Sequence, residues 1–218
     1  MRRTRIKICC IGSVDEAQVA IQAGADALGL VSAMPSGPGV IPDETIAEIA
    51  ASSPPPVASV LLTSQTDADA IAEQQRATGA SVLQLVDAVS PDAHRQLERA
   101  LPGIRRVQVI HVRSRADVAD ALAMALHVDG LLLDSGNPNA STPTLGGTGE
   151  VHDWDLSREI VERASAPVFL AGGLNAGNVA EAIRMVRPFG VDVCSGVRTH
   201  RQLDATKLAA FVGAVASI

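Results

Sequence analysis

The most constraining feature of the chain is a regular alternation between short apolar runs and longer amphipathic stretches. Eight runs rich in Val, Ile and Leu are predicted strands: Ile6–Cys10, Ala27–Val31, Val57–Leu62, Val82–Leu85, Arg106–Val112, Gly130–Leu133, Pro167–Leu170 and Val191–Cys194. Eight stretches with apolar residues at helical spacing follow them: Asp15–Ala23, Asp43–Ala51, Asp67–Thr78, Pro91–Ala100, Ala116–Leu126, Asp155–Ala164, Ala176–Val186 and Asp204–Val215. Eight strand–helix repeats of about 27 residues predict an α/β fold, a (β/α)8 TIM barrel, with residues 1–218 as its single domain.

Residues at the predicted helix starts support this division. Ser90 stands before Pro91, which puts a capping hydroxyl ahead of a proline in the first helical position. Asn175 and Asp204 are the predicted caps of the seventh and eighth helices.

The composition limits what the protein binds. The net charge is -6, so no basic surface is expected for a nucleic acid or an anionic membrane. No apolar run reaches the length of a membrane span, and the first apolar stretch is too short for a signal peptide. The three cysteines follow no disulfide or metal-binding spacing, which favours a reducing compartment. A cytoplasmic protein with a small-molecule ligand is therefore expected.

Glycine-bearing segments follow the last two predicted strands, at the end of a barrel where active sites form. Gly172 and Gly173 follow strand seven, and Ser195 and Gly196 follow strand eight. Exposed backbone N–H groups there predict a phosphate site, although a tight turn alone also explains glycine. Gly147 lies in a similar but longer stretch after strand six, for which a flexible lid is an equal alternative.

Two ionisable side chains stand at strand ends in the same pattern. Asp134 directly follows three leucines, which predicts a catalytic acid or, alternatively, a turn cap. Cys9 and Cys10 end the first strand, where alternation predicts that one thiol faces the barrel mouth while the other packs against helices. Lys7 shares the face of Cys9 and must be paired with a carboxylate or lose its charge.

Taken together, these segments resemble the phosphoribosylanthranilate isomerase family of tryptophan biosynthesis. The resemblance is carried by Lys7–Ile11, Ala23–Gly29, Leu132–Asp134, Gly146–Gly149 with Asp153–Trp154, Leu170–Leu174 with Asn178–Val179, and Arg187–Val197. Members of that family are (β/α)8 barrels that catalyse an Amadori rearrangement, an aldose–ketose isomerisation of a phosphorylated sugar. Order and spacing match over almost the whole chain.

The resemblance implies a role for each matching residue. Cys9 would be the base that removes the C2 proton, and Asp134 the acid that protonates the ring oxygen. Gly172, Gly173, Ser195 and Gly196 would hold the phosphate. Lys7, Gly147 and Arg198 are further predicted substrate or phosphate contacts, chosen for their charge or position and not implied by the resemblance. A phosphorylated sugar substrate, no metal, no cofactor and a monomer or homodimer are expected.

Three segments depart from the family pattern. Where the family has a Ser-Pro-Arg segment whose arginine holds the anthranilate carboxylate, this chain has Gly37-Pro38-Gly39. Gln84–Asp87 replaces Gln-Leu-His-Gly, and Arg198 replaces an acidic residue. Arg198 could supply the missing guanidinium or could be a solvated surface residue. A different phosphorylated sugar as substrate, or a non-catalytic phospho-ligand binder, therefore stay open as alternatives.

Overall fold

Eight parallel strands close into a barrel in chain order across the residues that the structure describes, which are 3–35, 37–134 and 153–218. The structure is a computed structural model. Its barrel strands are β1 (Arg5–Ile8), β2 (Ala27–Val31), β3 (Ala58–Thr63), β4 (Val82–Leu85), β5 (Arg105–His111), β6 (Gly130–Asp134), β7 (Val168–Leu170) and β8 (Gly190–Val193). Strand β8 pairs with β1 and closes the barrel. The predicted (β/α)8 fold is confirmed.

A helix follows each strand and packs on the outside of the barrel. The helices in the described residues are α1 (Val14–Gln22), α2 (Asp43–Ser52), α3 (Ala68–Thr78), α4 (Pro91–Ala100), α5 (Arg115–Met124), α6 (Trp154–Arg163), α7 (Val179–Val186) and α8 (Ala205–Ala216). Ser90 caps α4 ahead of Pro91, and Asp204 caps α8, as predicted. None of these helices combines the length and the apolar character needed to cross a bilayer.

Helix α7 begins later than predicted. Its first residue is Val179, so the predicted start at Ala176 with Asn175 as the cap is wrong. The side-chain oxygen of Asn175 instead accepts a hydrogen bond from the N–H of Gly177 at 2.8 Å, and that of Asn178 accepts one from the N–H of Asn175 at 2.8 Å. Asparagine side chains bonded to nearby backbone form a turn of their own, which delays the helix.

Alternation along the strands divides the apolar residues into two layers. Ile6 and Ile8 of β1 belong to the cluster between the barrel and its helices, whereas Leu132 of β6 belongs to a second cluster inside the barrel. The interior cluster also contains Cys9 and Cys10. The interior residues are small or β-branched for the most part, as the low aromatic content requires.

The position of Cys10 contradicts the prediction from alternation. Strand β1 ends at Ile8, and Cys10 adopts a left-handed backbone with φ of 63°. Because alternation holds only for extended backbone, it does not govern Cys10. Its thiol packs in the interior cluster at the barrel mouth, not outward against the helices.

Candidate active site

A cleft opens at the C-terminal ends of the strands. Cys9, Asp134, Gly172, Gly173 and Ser195 all lie on its wall. Five of the predicted site residues, drawn from four separate βα connections, therefore meet at one place. The structure supports a common site but leaves their individual roles as predictions.

Cys9 lies in the cleft wall beside a buried ion pair. Lys7, one of the most buried charged residues, contacts Asp192 of β8 at 2.9 Å, and the two residues are register partners across β1 and β8. A Cβ placed on Gly29 would be 2.9 Å from the Cys9 sulfur and 3.0 Å from the Lys7 nitrogen. The ammonium and the sulfur are thus within about 6 Å, a range in which charges interact strongly.

The ion pair also keeps the Lys7 side chain positively charged. Burial opposes the charged form of Lys7, but the negative charges of Asp192 and Cys9 outweigh burial and raise its pKa. The Lys7 side chain does not line the cleft but lines a second cavity in the barrel together with Gly130 and Phe169. This geometry gives Lys7 a place beside Cys9 and does not support the predicted contact with a phosphate.

Asp134 is the last residue of β6 rather than the first residue after it. Leu131 and Leu133 face the helices while Leu132 faces the barrel interior, so alternation turns the Asp134 side chain towards the interior as well. The residue is 7% exposed and lines the cleft. The acidic side chain is therefore largely buried at the end of its strand, where it can meet a ligand in the cleft.

The connection from β7 to α7 presents backbone to the cleft. Gly172 and Gly173 have φ of 83° and 63°, a region open to glycine at little cost. The side-chain amide of Asn178 donates to the carbonyl oxygen of Gly173 at 3.0 Å and fixes the turn. Two consecutive left-handed residues without side chains leave space for a ligand against the chain.

Ser195 and Gly196 open a short 3-10 turn, Ser195–Val197, after β8. Ser195 lines the cleft, whereas Gly196 packs against the neighbouring connection: a Cβ there would be 2.0 Å from the carbonyl oxygen of Leu174. The need for glycine at 196 is therefore explained by close packing of the two connections. We call Gly172, Gly173, Ser195 and Gly196 the candidate phosphate cradle.

Arg198 acts as a structural clamp, because its guanidinium is taken up by contacts within the protein. Its guanidinium donates to the carbonyl oxygens of Cys10 at 2.5 Å and Cys9 at 3.3 Å, and it contacts Glu16 of α1 at 3.1 Å. Its side chain is 8% exposed. These bonds tie the segment after β8 to the segment after β1. They leave the predicted carboxylate contact of Arg198 without geometric support.

Glu16 was not predicted as a site residue, yet it organises this clamp. Its carboxylate accepts from the N–H groups of Gly12 and Leu203, both at 2.9 Å, in addition to Arg198. Burial alone would raise the pKa of Glu16, but the hydrogen bonds from Arg198 and the two N–H groups outweigh it and lower that pKa. Glu16, which lies in the first turn of α1, is therefore held in its ionised form.

The segment after β2 lies directly on Cys10. Gly39 has φ of 79°, and a Cβ on it would be 2.5 Å from the Cys10 Cβ. The carbonyl oxygen of Pro38 is 3.5 Å from the Cys10 sulfur. The glycine at 39, one of the departures from the family pattern, is thus in contact with Cys10, and its lack of a side chain leaves room for the Cys10 side chain.

Sequence reasoning missed two further groups in the cleft, Asp192 and Cys194. A signal for Asp192 was available, because it is an ionisable residue within the buried strand Gly190–Val193. Cys194 gave no signal beyond its position at a strand end.

The predicted contact Gly147 lies outside the described residues. Within the described residues no lysine or arginine lines the cleft, and no group of three potential metal ligands occurs.

This combination defines the class of the protein: a (β/α)8 barrel with a thiol, a carboxylate and an open glycine turn at the catalytic end of its strands. Comparison with known proteins gives the family. The family model for N-(5'-phosphoribosyl)anthranilate (PRA) isomerase matches residues 6–214. The chain belongs to this family of isomerases, as the sequence motifs predicted.

Relatives of known name agree over nearly the whole chain. An N-(5'-phosphoribosyl)anthranilate isomerase of Haloferax volcanii is 39% identical, with 97% of this chain and 92% of the relative covered. The solved phosphoribosylanthranilate isomerase of Thermotoga maritima is 28% identical, covers 99% of this chain and 100% of its own, and has a TM-score of 0.86. Another structure of a phosphoribosylanthranilate isomerase, 26% identical with the same coverage and a TM-score of 0.83, was solved with reduced 1-(o-carboxyphenylamino)-1-deoxyribulose 5-phosphate.

Proposed function

We propose that this chain isomerises N-(5'-phosphoribosyl)anthranilate, with Cys9 as the base and Asp134 as the acid. The observation that carries the proposal is the shared cleft, in which both side chains lie together with Gly172, Gly173 and Ser195. Family membership supports the activity. The two roles are those that the family resemblance implies, and the position of both residues in one cleft supports them.

The reaction needs two proton transfers on one sugar. Asp134, in its protonated form, gives a proton to the ring oxygen, so that the ribose opens to a protonated Schiff base. The Cys9 thiolate then takes the proton from C2, and the resulting enolamine becomes the ketose. The ammonium of Lys7, fixed by Asp192, supplies a positive charge next to the thiolate. The chemistry requires no redox partner, because the substrate is oxidised and reduced internally.

The cradle would hold the phosphate end of the same substrate. Backbone N–H groups in a left-handed glycine turn can form an anion site, and Ser195 lines the same cleft. Such a site needs no lysine or arginine. This explains how a cleft whose described wall carries two aspartates and no cation can take an anionic substrate.

The anthranilate carboxylate needs a separate partner. A groove that shares Cys10, Pro38 and Ser195 with the cleft extends to Arg198 and Arg201. Arg198 is occupied by Glu16 and backbone oxygens, whereas Arg201 is exposed and only its carbonyl oxygen takes part in the clamp. We assign the carboxylate to Arg201.

Purified protein provides the test. Turnover is followed as the loss of substrate anthranilate fluorescence. Cys9→Ser and Asp134→Asn should each lower kcat by at least about 10²-fold, the usual contribution of an acid or base. Asp87→Asn is the matched control, because Asp87 also follows a barrel strand but does not line the cleft. Wild-type turnover in either site variant refutes that residue's role.

A second candidate substrate is a phosphorylated aminosugar without a carboxylate, favoured by glycine at position 39. Comparison of kcat/KM for N-(5'-phosphoribosyl)anthranilate and N-(5'-phosphoribosyl)aniline separates the two. If Arg201 binds the carboxylate, the anthranilate is preferred by about 10² or more, since loss of a charge-assisted bond costs a few kcal/mol. Arg201→Ala should then abolish the preference by raising KM. Equal use of both substrates favours the second candidate.

A further inference from the structure

Three thiols gather at the barrel mouth, and the proposed reaction uses only one of them. Cys10 and Cys194 lie 184 residues apart in sequence, yet their sulfur atoms are 2.8 Å apart. All three cysteines are free thiols in this structure. A disulfide bond is about 2.05 Å long, so a small movement would join Cys10 to Cys194.

Geometry selects this pair over the alternative of Cys9 with Cys10. Disulfide partners usually have their Cα atoms at least about 4.4 Å apart, whereas neighbours across a trans peptide bond are about 3.8 Å apart. No cis peptide bond occurs in the described residues. Joining Cys9 to Cys10 would therefore distort the main chain, a constraint that does not apply to Cys10 and Cys194 because they are not neighbours in the chain.

We propose that Cys10 and Cys194 are a thiol–disulfide exchange site that reacts with low-molecular-weight disulfides and leaves Cys9 reduced. Cys194 is partly exposed and lies on both the cleft and the adjoining groove, so a small disulfide can reach it. Cys10 lines the same cleft and groove but is only 6% exposed, so Cys194 is the more accessible of the two thiols. One thiol is thus placed to attack and the other to resolve.

The electrostatic surroundings also favour Cys194 as the attacking thiol and Cys10 as the resolving thiol. Contact with Cys10 lowers the pKa of Cys194, and the charge of Arg198 assists against the opposing effect of burial. Contacts with Cys194 and Cys9, together with burial, raise the pKa of Cys10. Because the thiolate is the nucleophile in exchange, Cys194 attacks first.

The exchange requires no reactant other than the two protein thiols and the small disulfide. The Cys194 thiolate attacks one sulfur of the small disulfide RSSR, forms a mixed disulfide and releases RS⁻. Cys10 gives its proton to that thiolate, and its sulfur attacks the Cys194 sulfur of the mixed disulfide, which expels the second RS⁻. Two protein thiols are oxidised to one disulfide, and RSSR is reduced to two thiols.

The test exposes the reduced, folded protein to oxidised glutathione, stops the reaction with acid and alkylates the remaining thiols under denaturing conditions. The intact mass should show one alkylated thiol in place of three and no bound glutathione. After trypsin, the segment Ile8–Arg76 should be linked to Met185–Arg198, which contains Cys194. Three alkylated thiols, or glutathione retained on the protein as the only product, overturn the proposal.

Single variants identify the partner within Ile8–Arg76. Cys9→Ser should still form the link, whereas Cys10→Gly should instead retain one glutathione on Cys194. Glycine suits the left-handed backbone at position 10, and far-UV circular dichroism checks that each variant is folded. Loss of the link in Cys9→Ser, or its persistence in Cys10→Gly, shows that Cys9 is the partner and overturns the proposal.

Discussion

The contact between Gly39 and Cys10 gives a prediction whose size follows from the structure. Gly39→Ala would put a Cβ 2.5 Å from the Cβ of Cys10, 3.0 Å from its Cα and 3.1 Å from its sulfur. It would also hold alanine at φ of 79°. The left-handed conformation costs about 1–2 kcal/mol and overpacking about 1–3 kcal/mol, so the free energy of unfolding should fall by about 2–5 kcal/mol.

A second substitution separates these two contributions. Cys10→Gly removes the Cβ and the sulfur and relieves the left-handed strain at position 10, but it loses a small buried side chain. We expect these effects to nearly cancel, within about 1 kcal/mol. Gly39→Ala made on top of Cys10→Gly should cost mainly the conformational strain, because the contacts with the Cβ and the sulfur are gone and only the 3.0 Å approach to the Cα of residue 10 remains. The coupling energy of the pair is therefore expected to be about 1–3 kcal/mol.

Urea denaturation followed by far-UV circular dichroism measures all four members of the cycle. Gly79→Ala is the matched control, because Gly79 has φ of 65° and no atom within 4 Å of its would-be Cβ. It should cost about 1–2 kcal/mol whether position 10 is cysteine or glycine. Additivity of Gly39→Ala and Cys10→Gly within about 0.5 kcal/mol would refute the contact as the cause.

Three further changes test the clamp and the cradle. Arg198→Met should lower the free energy of unfolding in urea by about 2–4 kcal/mol, because it leaves the Glu16 carboxylate without its cation; Arg201→Met should change it by less than about 0.5 kcal/mol. The pKa of Glu16 is lower in the folded state than its ordinary value of 4.5, so its stabilisation is complete above that value and is lost as the pH falls through the folded pKa. The stability difference between wild type and Glu16→Gln should accordingly shrink below about pH 4.5 in urea titrations. Gly196→Ala should raise KM for the substrate, since its Cβ would meet the Leu174 carbonyl at 2.0 Å and push the two cradle segments apart; an unchanged KM argues against a phosphate there.

The barrel was predictable from sequence because each strand is a local apolar run. The Leu131–Leu133 run, for example, is buried on both faces in the parallel sheet, and its polar neighbour Asp134 marks where the strand ends. Element boundaries failed where a side chain competes for the backbone. Asn175 and Asn178 bond to neighbouring N–H groups, so the chain turns before α7 begins, and helical periodicity does not reveal this.

The site was predictable only in part, because its remaining contacts join distant positions. Cys9 and Asp134 could be selected by their position at strand ends. The partner of Lys7 could not be predicted, because its pairing with Asp192 depends on the register of β8 against β1. The left-handed backbone at Cys10 was equally hidden, because a cysteine at such a position is uncommon and alternation assumes an extended chain.

The contacts around Cys9 converge on the seam where the barrel closes, which we define as β1, β8 and the segments that follow them. Lys7 with Asp192 joins the seam inside the barrel, Cys10 meets Cys194 at the mouth, and Arg198 holds the carbonyl oxygens of Cys9 and Cys10 from the outside. Each link spans more than 180 residues of sequence, so none can form before the closing strands meet. The position of the proposed base is therefore set by closure of the barrel and not by its own strand. This explains why a charged pair, a thiol pair and an arginine clamp are all found at one of the eight strand junctions.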